Sequence, residues 1–429
     1  MKEGPFAKDA TDDRVVRKKV FTTTLGCLEN HLRTQMYAQF LKQNGCELVD
    51  DPEQAELILV GTCGATEINA RLSEKAIKKL KAKNKRAEVW IVGCLPAIEP
   101  ERMAQLQPDL MFAPKDEQTV GFLNEAPVSL KAIKGVNTLP ELTDISFRLG
   151  LSLKNIARRL LGKKIYERLS RKFELVEDES MFFIPISEGC LDMCTFCASR
   201  LAKKGLKSRP PEDILEEFER GLGLGYKDFV LCGDDTGCYG RDIDLTLPDL
   251  LERMLEHPGD YRIHIRFLGP RWLIEDIERW KKILLSGKIK SISVSIQSGS
   301  DRILSLMKRG HTAADLKEVL NTVAELAPDT SLKTVVIVGF PTERWSDFLS
   351  SLRFIRDYRF DGVFISAFSA RPGTVAAEMK QVSSLTKWLR FMIAWTYVVW
   401  RVYVRDLMST VKQLVVEWNK QTTGDSEHV

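Results

Sequence analysis

Short apolar runs alternate with longer amphipathic stretches near the start of the chain. A run of consecutive apolar residues predicts a buried strand, and apolar positions three and four apart predict a helix. The elements predicted in this way are strands at 19–25, 55–60 and 88–93 and helices at 31–43 and 67–83. Such alternation is typical of a parallel sheet flanked by helices. We therefore expect an open parallel α/β sheet domain at 19–126, preceded by a charged, patternless tail at 1–18.

A second alternation of strands and helices occupies the later part of the chain. Its predicted strands lie at 181–186, 228–232, 262–267, 290–296, 333–339 and 362–368. The helices predicted between them lie at 248–256, 274–285, 313–326 and 345–358, with a further helix that opens at Pro210 and Pro211. Six steps of this kind predict a partial (βα)6 barrel at 179–380, with chemistry at the carboxyl ends of its strands.

The alternation is absent from two segments, a connector at 127–178 and a helical C-terminal extension at 381–429. Residues 154–172 of the connector contain eight basic side chains and one acid, interleaved with apolar residues at helical spacing. This predicts a basic amphipathic helix that can contact phosphates, an acidic peptide or a membrane surface, or can pack on the other domains as a solvated helix. The extension has an aromatic helix at 387–411, more typical of a core or domain interface than of a base-stacking platform.

Composition narrows the class of protein. The chain has 429 residues, 44% of them apolar, and a net charge of +4, which fits a globular protein of two or three domains. This charge is compatible with nucleic acid or an acidic peptide as partner and requires neither. Nine cysteines and a start without an apolar segment disfavour a secreted disulfide framework and predict a cytoplasmic protein. The apolar stretch 391–404 is too short to span a bilayer, so we expect no membrane segment.

Three cysteines lie close together just after the strand predicted at 181–186. Cys190, Cys194 and Cys197 have the spacing Cys-x3-Cys-x2-Cys. Thiolates select iron–sulfur clusters or zinc, and three of them leave one metal position without a protein ligand. Structural zinc sites are closed by a fourth cysteine or histidine at short spacing, whereas the next cysteine, Cys232, is far along the chain. The spacing therefore favours an iron–sulfur cluster over zinc.

Three further cysteines each follow a different predicted strand of the first domain. Cys27, Cys63 and Cys94 lie just past the carboxyl ends of those strands. In an open parallel sheet these ends lie along one edge, where ligand sites form. The three residues can therefore converge on one site, and neighbouring glycines allow tight backbone turns there. They can equally be three independent, partly buried cysteines, which is a common environment for this residue type.

The central cysteine motif, with Phe196 before its last cysteine, resembles the signature of radical S-adenosylmethionine (SAM) enzymes. The resemblance implies a [4Fe–4S] cluster on Cys190, Cys194 and Cys197 whose open iron binds SAM. It also implies a reducing electron donor, since SAM is cleaved reductively to a radical that takes hydrogen from an unactivated carbon.

The first domain resembles that of the radical SAM methylthiotransferases, and the matching segments lie at 24–30, 61–63 and 92–94. The resemblance implies a second [4Fe–4S] cluster on Cys27, Cys63 and Cys94. In the implied reaction, one SAM methylates a sulfur on this second cluster, and the radical from another SAM prepares the substrate carbon that receives the methylthio group. The chain departs from the family pattern at 33–35 and at Gly61.

Loops after two barrel strands supply candidate contacts to SAM that resemble family segments. The loop 233–235 follows the second strand and is expected to receive the methionyl ammonium, and Gln297 follows the fourth and is expected to bond the ribose. The residues predicted to bind the cofactor are Phe196, Gly233, Asp234, Asp235, Gln297 and Arg309. The cysteines assigned to structural packing are Cys46, Cys232 and Cys238.

The substrate is the most open part of the prediction. The runs 235–242 and 371–374 resemble the archaeal and eukaryotic branch that methylthiolates threonylcarbamoyladenosine in tRNA. Val335, Thr342 and Gly269 depart from the usual pattern, and no run of alternating strands like the TRAM domain follows the barrel. We therefore expect a peptide or other non-tRNA substrate, with a tRNA methylthiotransferase acting on a modified adenosine as the alternative. A non-catalytic two-cluster electron-transfer or binding protein is an alternative from another class.

Overall fold

The computed structural model of the chain describes residues 18–133, 136–138 and 180–404. The basic helix predicted at 154–172 lies outside these residues, as do most of the predicted tail and the end of the C-terminal extension. None of the helices in the described ranges is long and apolar enough to cross a membrane.

Five strands form the first sheet. They are β1 (Lys19–Thr24), β2 (Glu47–Leu48), β3 (Leu57–Thr62), β4 (Glu88–Gly93) and β5 (Leu110–Phe112). Their order is β2-β1-β3-β4-β5, and each neighbouring pair is parallel. Thr24 is paired with Gly61, and Thr62 with Gly93, so β1, β3 and β4 end at the same edge of the sheet. This confirms the open parallel α/β sheet expected from the sequence.

Strand β3 is buried along its whole length. Leu57 and Leu59 belong to the apolar cluster on one face of the sheet, and Ile58 and Val60 belong to the cluster on the other. Alternate side chains of a strand point to opposite faces, so a continuous apolar run supplies both clusters. Cys46 is buried in the first cluster, which confirms its structural assignment.

Helices connect and cover these strands. They are Leu28–Gln43, Glu67–Lys83, Leu95–Ile98, Pro100–Ala104 and Gly121–Glu125, with 3-10 turns at Pro114–Thr119 and Leu130–Ala132. The first helix begins at Leu28 rather than at the predicted residue 31, because Cys27 occupies the extended N-cap position. Thr66 caps the second helix, since its side chain accepts a hydrogen bond from the Asn69 N–H at 3.2 Å.

Eight further strands follow. They are β6 (Met181–Pro185), β7 (Ser187–Glu188), β8 (Lys207–Ser208), β9 (Asp228–Cys232), β10 (Arg262–Leu268), β11 (Ile289–Gln297), β12 (Ser331–Val338) and β13 (Gly362–Ala367). Six of them form a sheet of order β13-β12-β11-β10-β9-β6, while β7 and β8 form a small antiparallel ribbon. The six strands therefore follow chain order, which confirms the partial (βα)6 barrel.

The helices of the later part are Ser199–Ala202, Pro211–Gly223, Leu247–Leu255, Pro270–Glu275, Ile277–Leu285, Asp301–Met307, Ala313–Leu326, Trp345–Asp357, Val375–Glu378 and Ser384–Val398, followed by a π-helix at Val399–Val404. The single helix predicted at 274–285 is two helices, because Asp276 leaves the helical conformation at φ −113° and ψ 27°. Helix Ala313–Leu326 has the predicted bounds, and a capping box formed by Thr312 and Asp315 fixes its start.

The helical C-terminal extension is confirmed in its described part. On helix Ser384–Val398, Arg390 and Ala394 are buried, whereas Trp388 and Trp395 are exposed. Core packing, one of the two environments expected of this aromatic helix, is therefore found for one face and not for these two tryptophans, and the expected domain interface stays a prediction.

The chain divides into two compact units. The described residues of the first unit lie within Met1–Asp144, Glu179–Leu250 and Ser369–Glu378. The described residues of the second unit lie within Leu251–Phe368 and Met379–Val429. The first unit thus contains the first sheet, the central cysteine motif and one short later segment. The domain boundaries drawn from the sequence stay predictions.

Candidate metal centre

Cys27, Cys63 and Cys94 lie at one edge of the first sheet, and we call them the dispersed triad. Cys63 and Cys94 directly follow β3 and β4, and Cys27 follows β1 at the N-cap of helix Leu28–Gln43. The charges of Cys63 and Cys94 both act on Cys27, so the three thiols are electrostatic neighbours. The structure therefore brings together the three cysteines that the strand pattern predicted to converge.

Close approach of the loops requires glycine beside this triad. Gly26 has φ +103°, and a Cβ atom there would overlap the side chain of Cys63. Gly93 has φ +98°, and a Cβ atom there would overlap the carbonyl oxygen of Thr62. Positive φ and the absence of a side chain together allow the cysteine loops to meet.

Two asparagines hold the loops of the dispersed triad, and sequence reasoning assigned no role to either. Asn30 Nδ2 donates hydrogen bonds to the carbonyl oxygens of Leu25 at 2.7 Å and Thr62 at 3.3 Å, and thereby links the loops after β1 and β3. Asn69 Nδ2 donates to Cys63 Sγ at 3.4 Å. Each lies on the helix that follows a cysteine loop, one turn or less from its start, and this position is the available sequence signal.

Two thiols of the dispersed triad, those of Cys27 and Cys94, are costly to ionise without a metal. Burial raises the pKa of Cys27 well above its usual value, and Glu29 and the other two thiols raise it further. The Cys27 side chain reaches solvent, yet enough protein surrounds it for desolvation to dominate. Burial also raises the pKa of Cys94, to about 12, against the opposing charge of Lys203. A bound metal supplies the positive charge that such thiolates require.

Cys190, Cys194 and Cys197 lie in one loop, and we call them the local triad. The ribbon of β7 and β8 flanks this loop, and Gly189 at its start has φ +78°. A Cβ atom at Gly189 would overlap the carbonyl oxygen of Gly205. The Asp192 N–H donates to Cys190 Sγ at 3.1 Å. Backbone donors of this kind lower the pKa of a thiol, but the hydrogen bond with Cys238, burial and the charge of Asp235 raise the pKa of Cys190 by more, so its thiolate also depends on the charge of a bound metal.

An ion pair lies beside both triads. Lys203 Nζ contacts both carboxylate oxygens of Asp234 at 2.6 Å, and Asp234 also accepts the Gly189 N–H at 2.8 Å. Burial opposes both charges, yet each partner favours the ionised form of the other: the pKa of Asp234 is lowered and the pKa of Lys203 is raised. Lys203 also lowers the pKa of Cys27 and Cys94. Asp234, one of the two carboxylates in the loop predicted to receive the methionyl ammonium, therefore has a lysine partner in this structure.

A second, half-buried cation connects the first helix to the ribbon that flanks the local triad. Arg33 pairs with Glu188 of β7 at 2.6 Å and with Glu117. Both acids raise the pKa of Arg33 although burial opposes it. The departure from the family pattern at 33–35 thus places a cation in contact with the ribbon that flanks the local triad.

The segment Ser369–Glu378 contacts both cysteine loops of the first unit. Arg371 is buried, and its Nε donates to the carbonyl oxygen of Gly64, beside Cys63, at 2.9 Å. The Ala376 N–H donates to the carbonyl oxygen of Thr195, between two cysteines of the local triad, at 2.9 Å. This segment therefore links the dispersed and the local triad, a role that its sequence did not reveal.

Arg371 also forms ion pairs at the edge of the first sheet. It pairs with Glu67 at 2.7 Å and with Glu99. The Glu67 N–H in turn donates to Ser369 Oγ at 2.9 Å. The contact of the segment with the loop after Cys63 thus combines a buried cation, two acids and a backbone hydrogen bond.

The other predicted cofactor residues fall into two groups. Phe196, Gly233 and Asp235 lie in the first unit, where Asp235 Oδ1 accepts the Gly237 N–H at 3.0 Å. Gln297 and Arg309 lie in the second unit, where Gln297 ends β11 with φ +67°. Arg309 Nη2 donates to the carbonyl oxygen of Ser295 on the same strand at 2.7 Å, so both residues are fixed at one strand end.

Two family descriptions match different parts of the chain. Residues 184–355 match the radical SAM superfamily, and residues 19–113 match the uncharacterized protein family UPF0004. The first match contains the local triad, and the second contains the dispersed triad.

Named relatives are similar over most of the chain. A Pyrococcus abyssi protein named probable threonylcarbamoyladenosine tRNA methylthiotransferase is 31% identical over 367 residues, which is 85% of this chain and 80% of that protein. Human threonylcarbamoyladenosine tRNA methylthiotransferase is 29% identical over 372 residues, which is 86% of this chain and 60% of the human protein. The Thermotoga maritima enzyme of the same name, MtaB, is 29% identical over 85% of this chain and 77% of its own length.

The fold is similar to that of a solved radical SAM methyltransferase, TsrM from Kitasatospora setae. The TM-score is 0.57 at 11% sequence identity, over 83% of this chain and 75% of that one. At this identity the likeness extends to the fold alone.

Proposed function

Because this chain belongs to the radical SAM methylthiotransferase family, we propose that it methylthiolates a modified adenosine in tRNA. Membership makes the chain an enzyme that forms carbon–sulfur bonds and sets aside the non-catalytic alternative. The observation that carries the proposal is the similarity to proteins named threonylcarbamoyladenosine tRNA methylthiotransferase, which extends over 80% of the Pyrococcus abyssi protein. The sequence alone favoured a peptide, and these names support the tRNA alternative in its place.

The cofactors of the family are SAM and two [4Fe–4S] clusters. We assign the SAM-binding cluster to Cys190, Cys194 and Cys197, and the second cluster to Cys27, Cys63 and Cys94. Soft thiols in two groups of three, each with one buried member, Cys63 and Cys194, fit this donor chemistry. When bound, these groups supply the radical that takes hydrogen from the substrate carbon and the sulfur that joins it.

The proposed contacts to SAM are Phe196, Gly233, Asp234, Asp235, Gln297 and Arg309. The ion pair with Lys203 supports a positioning role for Asp234, whose carboxylate holds the Gly189 N–H at the start of the cysteine loop. Asp235 is then the carboxylate of this loop that we assign to the methionyl ammonium. Burial of these groups strengthens each charge interaction, because little water screens it.

The experiment that tests the proposal uses the full chain reconstituted with iron and sulfide. The enzyme is incubated with SAM, a strong reductant and tRNA that contains threonylcarbamoyladenosine, and the nucleosides are analysed by mass spectrometry. We expect a methylthio mass gain on the modified adenosine, together with 5′-deoxyadenosine. The Cys190→Ala variant should give neither product.

Two controls separate the substrate classes. The tRNA without the threonylcarbamoyl group should remain unmodified, and binding of cognate tRNA should weaken steeply with salt, because phosphate contacts release counterions. Abundant 5′-deoxyadenosine with no modified nucleoside, and a methylthio gain on candidate peptides instead, would refute the tRNA assignment and restore the peptide.

A further inference from the structure

A third group of metal-ligating side chains lies beside the local triad. The Sγ atoms of Cys190 and Cys238 and a carboxylate oxygen of Asp235 all lie within 4.8 Å of one another. Among the described residues, this is the group of three cysteine, histidine or carboxylate side chains whose ligand atoms lie that close together. Cys238 is fully buried and Asp235 is 5% exposed. The group contains one residue of the local triad and two that follow β9.

The turn after β9 fixes this arrangement. Asp235 Oδ1 accepts the Gly237 N–H at 3.0 Å and caps the 3-10 turn Thr236–Cys238, while Asp235 Oδ2 lies 3.9 Å from Cys190 Sγ. Cys238 Sγ lies 3.0 Å from the carbonyl oxygen of Asp235. The fully buried Tyr239 closes the turn, since its N–H donates to the carbonyl oxygen of Thr236 at 3.1 Å. Backbone hydrogen bonds of the turn therefore fix the positions of Asp235 and Cys238, and the hydrogen bond from the Cys238 thiol to the Asp235 carbonyl is given up when that thiol loses its proton to bind a metal.

The spacing suits one metal ion. Zinc is bound by cysteine at about 2.3 Å and by carboxylate at about 2.0–2.2 Å in tetrahedral geometry, which places ligand atoms about 3.5–4 Å apart. The 3.9 Å between Asp235 Oδ2 and Cys190 Sγ falls in that range. Two thiols and one carboxylate with a fourth, open position form a donor set that thiophilic divalent cations accept.

Cys238 has no part in the reaction proposed above. The sequence assigned it to packing, and its burial agrees with that, but packing does not account for its proximity to a cluster ligand. Cys232 offers the contrast: it is equally buried, belongs to an apolar cluster with Phe183 and Val230, and its Sγ lies near the carbonyl oxygen of Val230.

We propose that Cys190, Asp235 and Cys238 form a binding site for one thiophilic divalent cation, such as Zn²⁺, in the chain before its local cluster is assembled. The site shares Cys190 with the local triad, so the cation and the cluster exclude each other. The claim of exclusion rests on the cluster assignment under Proposed function, whereas cation binding itself does not.

Co²⁺ is the probe, because its visible spectrum reports tetrahedral coordination and its near-ultraviolet bands report bound thiolate. The test uses the full, cluster-free chain with Cys27, Cys63 and Cys94 changed to alanine, which removes the dispersed triad as a competing site. We expect one tetrahedral Co²⁺ per chain, displaced by Zn²⁺. Cys238→Ala should weaken this binding at least tenfold, and the matched control Cys232→Ala should leave it unchanged.

Two further variants distinguish the site from the local triad. Cys194→Ala with Cys197→Ala should retain the Co²⁺ site, because neither residue belongs to it, and Asp235→Asn should weaken binding while Cys238 is intact. Far-ultraviolet circular dichroism and thermal melting of each variant verify the fold. Unchanged binding in a folded Cys238→Ala chain, or loss of binding in the Cys194→Ala, Cys197→Ala chain, would overturn the proposal.

A separate measurement tests exclusion. The same triple-alanine chain is loaded with Zn²⁺ and then supplied with iron and sulfide, and its iron content and visible absorbance are compared with those of the zinc-free chain. We expect zinc to suppress iron uptake, and removal of zinc by a chelator to restore it. Undiminished iron uptake on a zinc-loaded chain would overturn exclusion independently of the Co²⁺ result.

Discussion

The dispersed and the local triad each present three thiols, but by different means. Cys190, Cys194 and Cys197 lie in one loop, whose backbone sets their spacing through hydrogen bonds such as that from Asp192 to Cys190. The dispersed triad takes one cysteine from each of three strand ends, and the register of β1, β3 and β4 sets its spacing. A loop needs only local order, whereas a sheet edge needs pairing between segments far apart in the chain.

This difference predicts different sensitivities. Changes in the first sheet should affect the dispersed triad and leave the local triad intact, while changes in the loop should do the reverse. Removal of a contact that bridges the two triads should lower the iron content of both. Alternatively, both clusters should stay bound while SAM cleavage is uncoupled from formation of the methylthio product.

Removing each triad should give the largest effects and the clearest separation. Cys27→Ala with Cys63→Ala and Cys94→Ala should remove about half the iron, since one of two clusters is lost, while SAM is still cleaved and no methylthio product forms. The corresponding triple variant of the local triad should lose SAM cleavage as well. Iron analysis and quantification of 5′-deoxyadenosine provide the test, and equal loss of SAM cleavage in both variants would contradict the division of roles.

Substitution of two glycines should also affect one triad without the other, in this case by disturbing the backbone beside its cysteines. Gly26→Ala and Gly189→Ala each place a Cβ atom into a neighbouring residue at positive φ, at an expected cost of about 2–5 kcal/mol in the free energy of unfolding. Gly26→Ala should deplete iron at the dispersed triad only, and Gly189→Ala at the local triad only. Denaturant unfolding and iron content measure both effects.

Gly45 provides the matched control for these glycines. It also has a positive φ, +98°, but a Cβ atom there would meet nothing within 4 Å. Gly45→Ala should therefore cost only about 1–2 kcal/mol from the backbone conformation and should leave the iron content unchanged. Iron loss in this variant would mean that backbone strain alone, rather than overlap beside a cysteine, empties the sites.

Arg371 tests the link between the triads. Arg371→Ala removes the buried partner of Glu67 and Glu99, both of which keep the half-buried Arg102, and should cost about 2 kcal/mol of stability. We expect both clusters to load and SAM cleavage to persist, while methylthio product falls about tenfold, equivalent to about 1.4 kcal/mol in the barrier. The ratio of 5′-deoxyadenosine to methylthio product measures this uncoupling.

A graded variant distinguishes positioning from simple loss of stability. Arg371→Lys retains the charge and should restore much of the coupling, although it cannot reproduce every contact of the guanidinium. If product and 5′-deoxyadenosine fall together in both variants, the segment stabilises the fold without coordinating the two sites.

Lys203 should affect both triads at once. Lys203→Met removes the partner of Asp234, at an expected cost of about 2–3 kcal/mol because the pair is mostly buried. It should reduce cluster loading at the dispersed triad, whose thiols lose a favourable charge, and loosen the local loop, whose Gly189 N–H is held by Asp234. Iron content measures both losses. The double variant Lys203→Met, Asp234→Asn should recover part of the stability, and a purely additive double variant would show that the pair is not coupled.

Asn30 gives the smallest expected effect, confined to the dispersed triad. Asn30→Ala removes two hydrogen bonds to backbone carbonyls and should cost about 1–2 kcal/mol. SAM cleavage should be unchanged and methylthio product modestly reduced. Asn124→Ala is a suitable control, because Asn124 also donates to backbone carbonyls but lies on the exposed surface.

Local sequence pattern predicted most of the fold. The strands at 88–93 and 228–232 and the helices at 67–83 and 313–326 have the predicted bounds, because apolar periodicity and caps are local signals. The convergence of the dispersed triad was also predictable, since strand–helix alternation implies a parallel sheet in which the carboxyl ends of the strands lie along one edge. The break between two helices at Asp276 was not predictable, because no glycine or proline lies at that position.

The charged contacts of the site were beyond the sequence. The loop 233–235 was expected to receive the methionyl ammonium, but Asp234 in that loop pairs with Lys203, which lies 31 residues earlier in the chain. Arg371 contacts Gly64 across 307 positions. Such pairs are set by tertiary structure, and a single sequence shows only that a charged residue is present.

The late position of Ser369–Glu378 has a consequence for biosynthesis. On the ribosome, the loops that contain Gly64 and Thr195 are not yet joined when they emerge, because the segment that links them is translated after every cysteine of both triads. Amino-terminal regions emerge first during synthesis, so both cysteine loops are present before this segment is made. The contact of Arg371 with the loop after Cys63 can therefore form only late in synthesis. A nascent chain released before residue 369 would lack the segment that links the two triads.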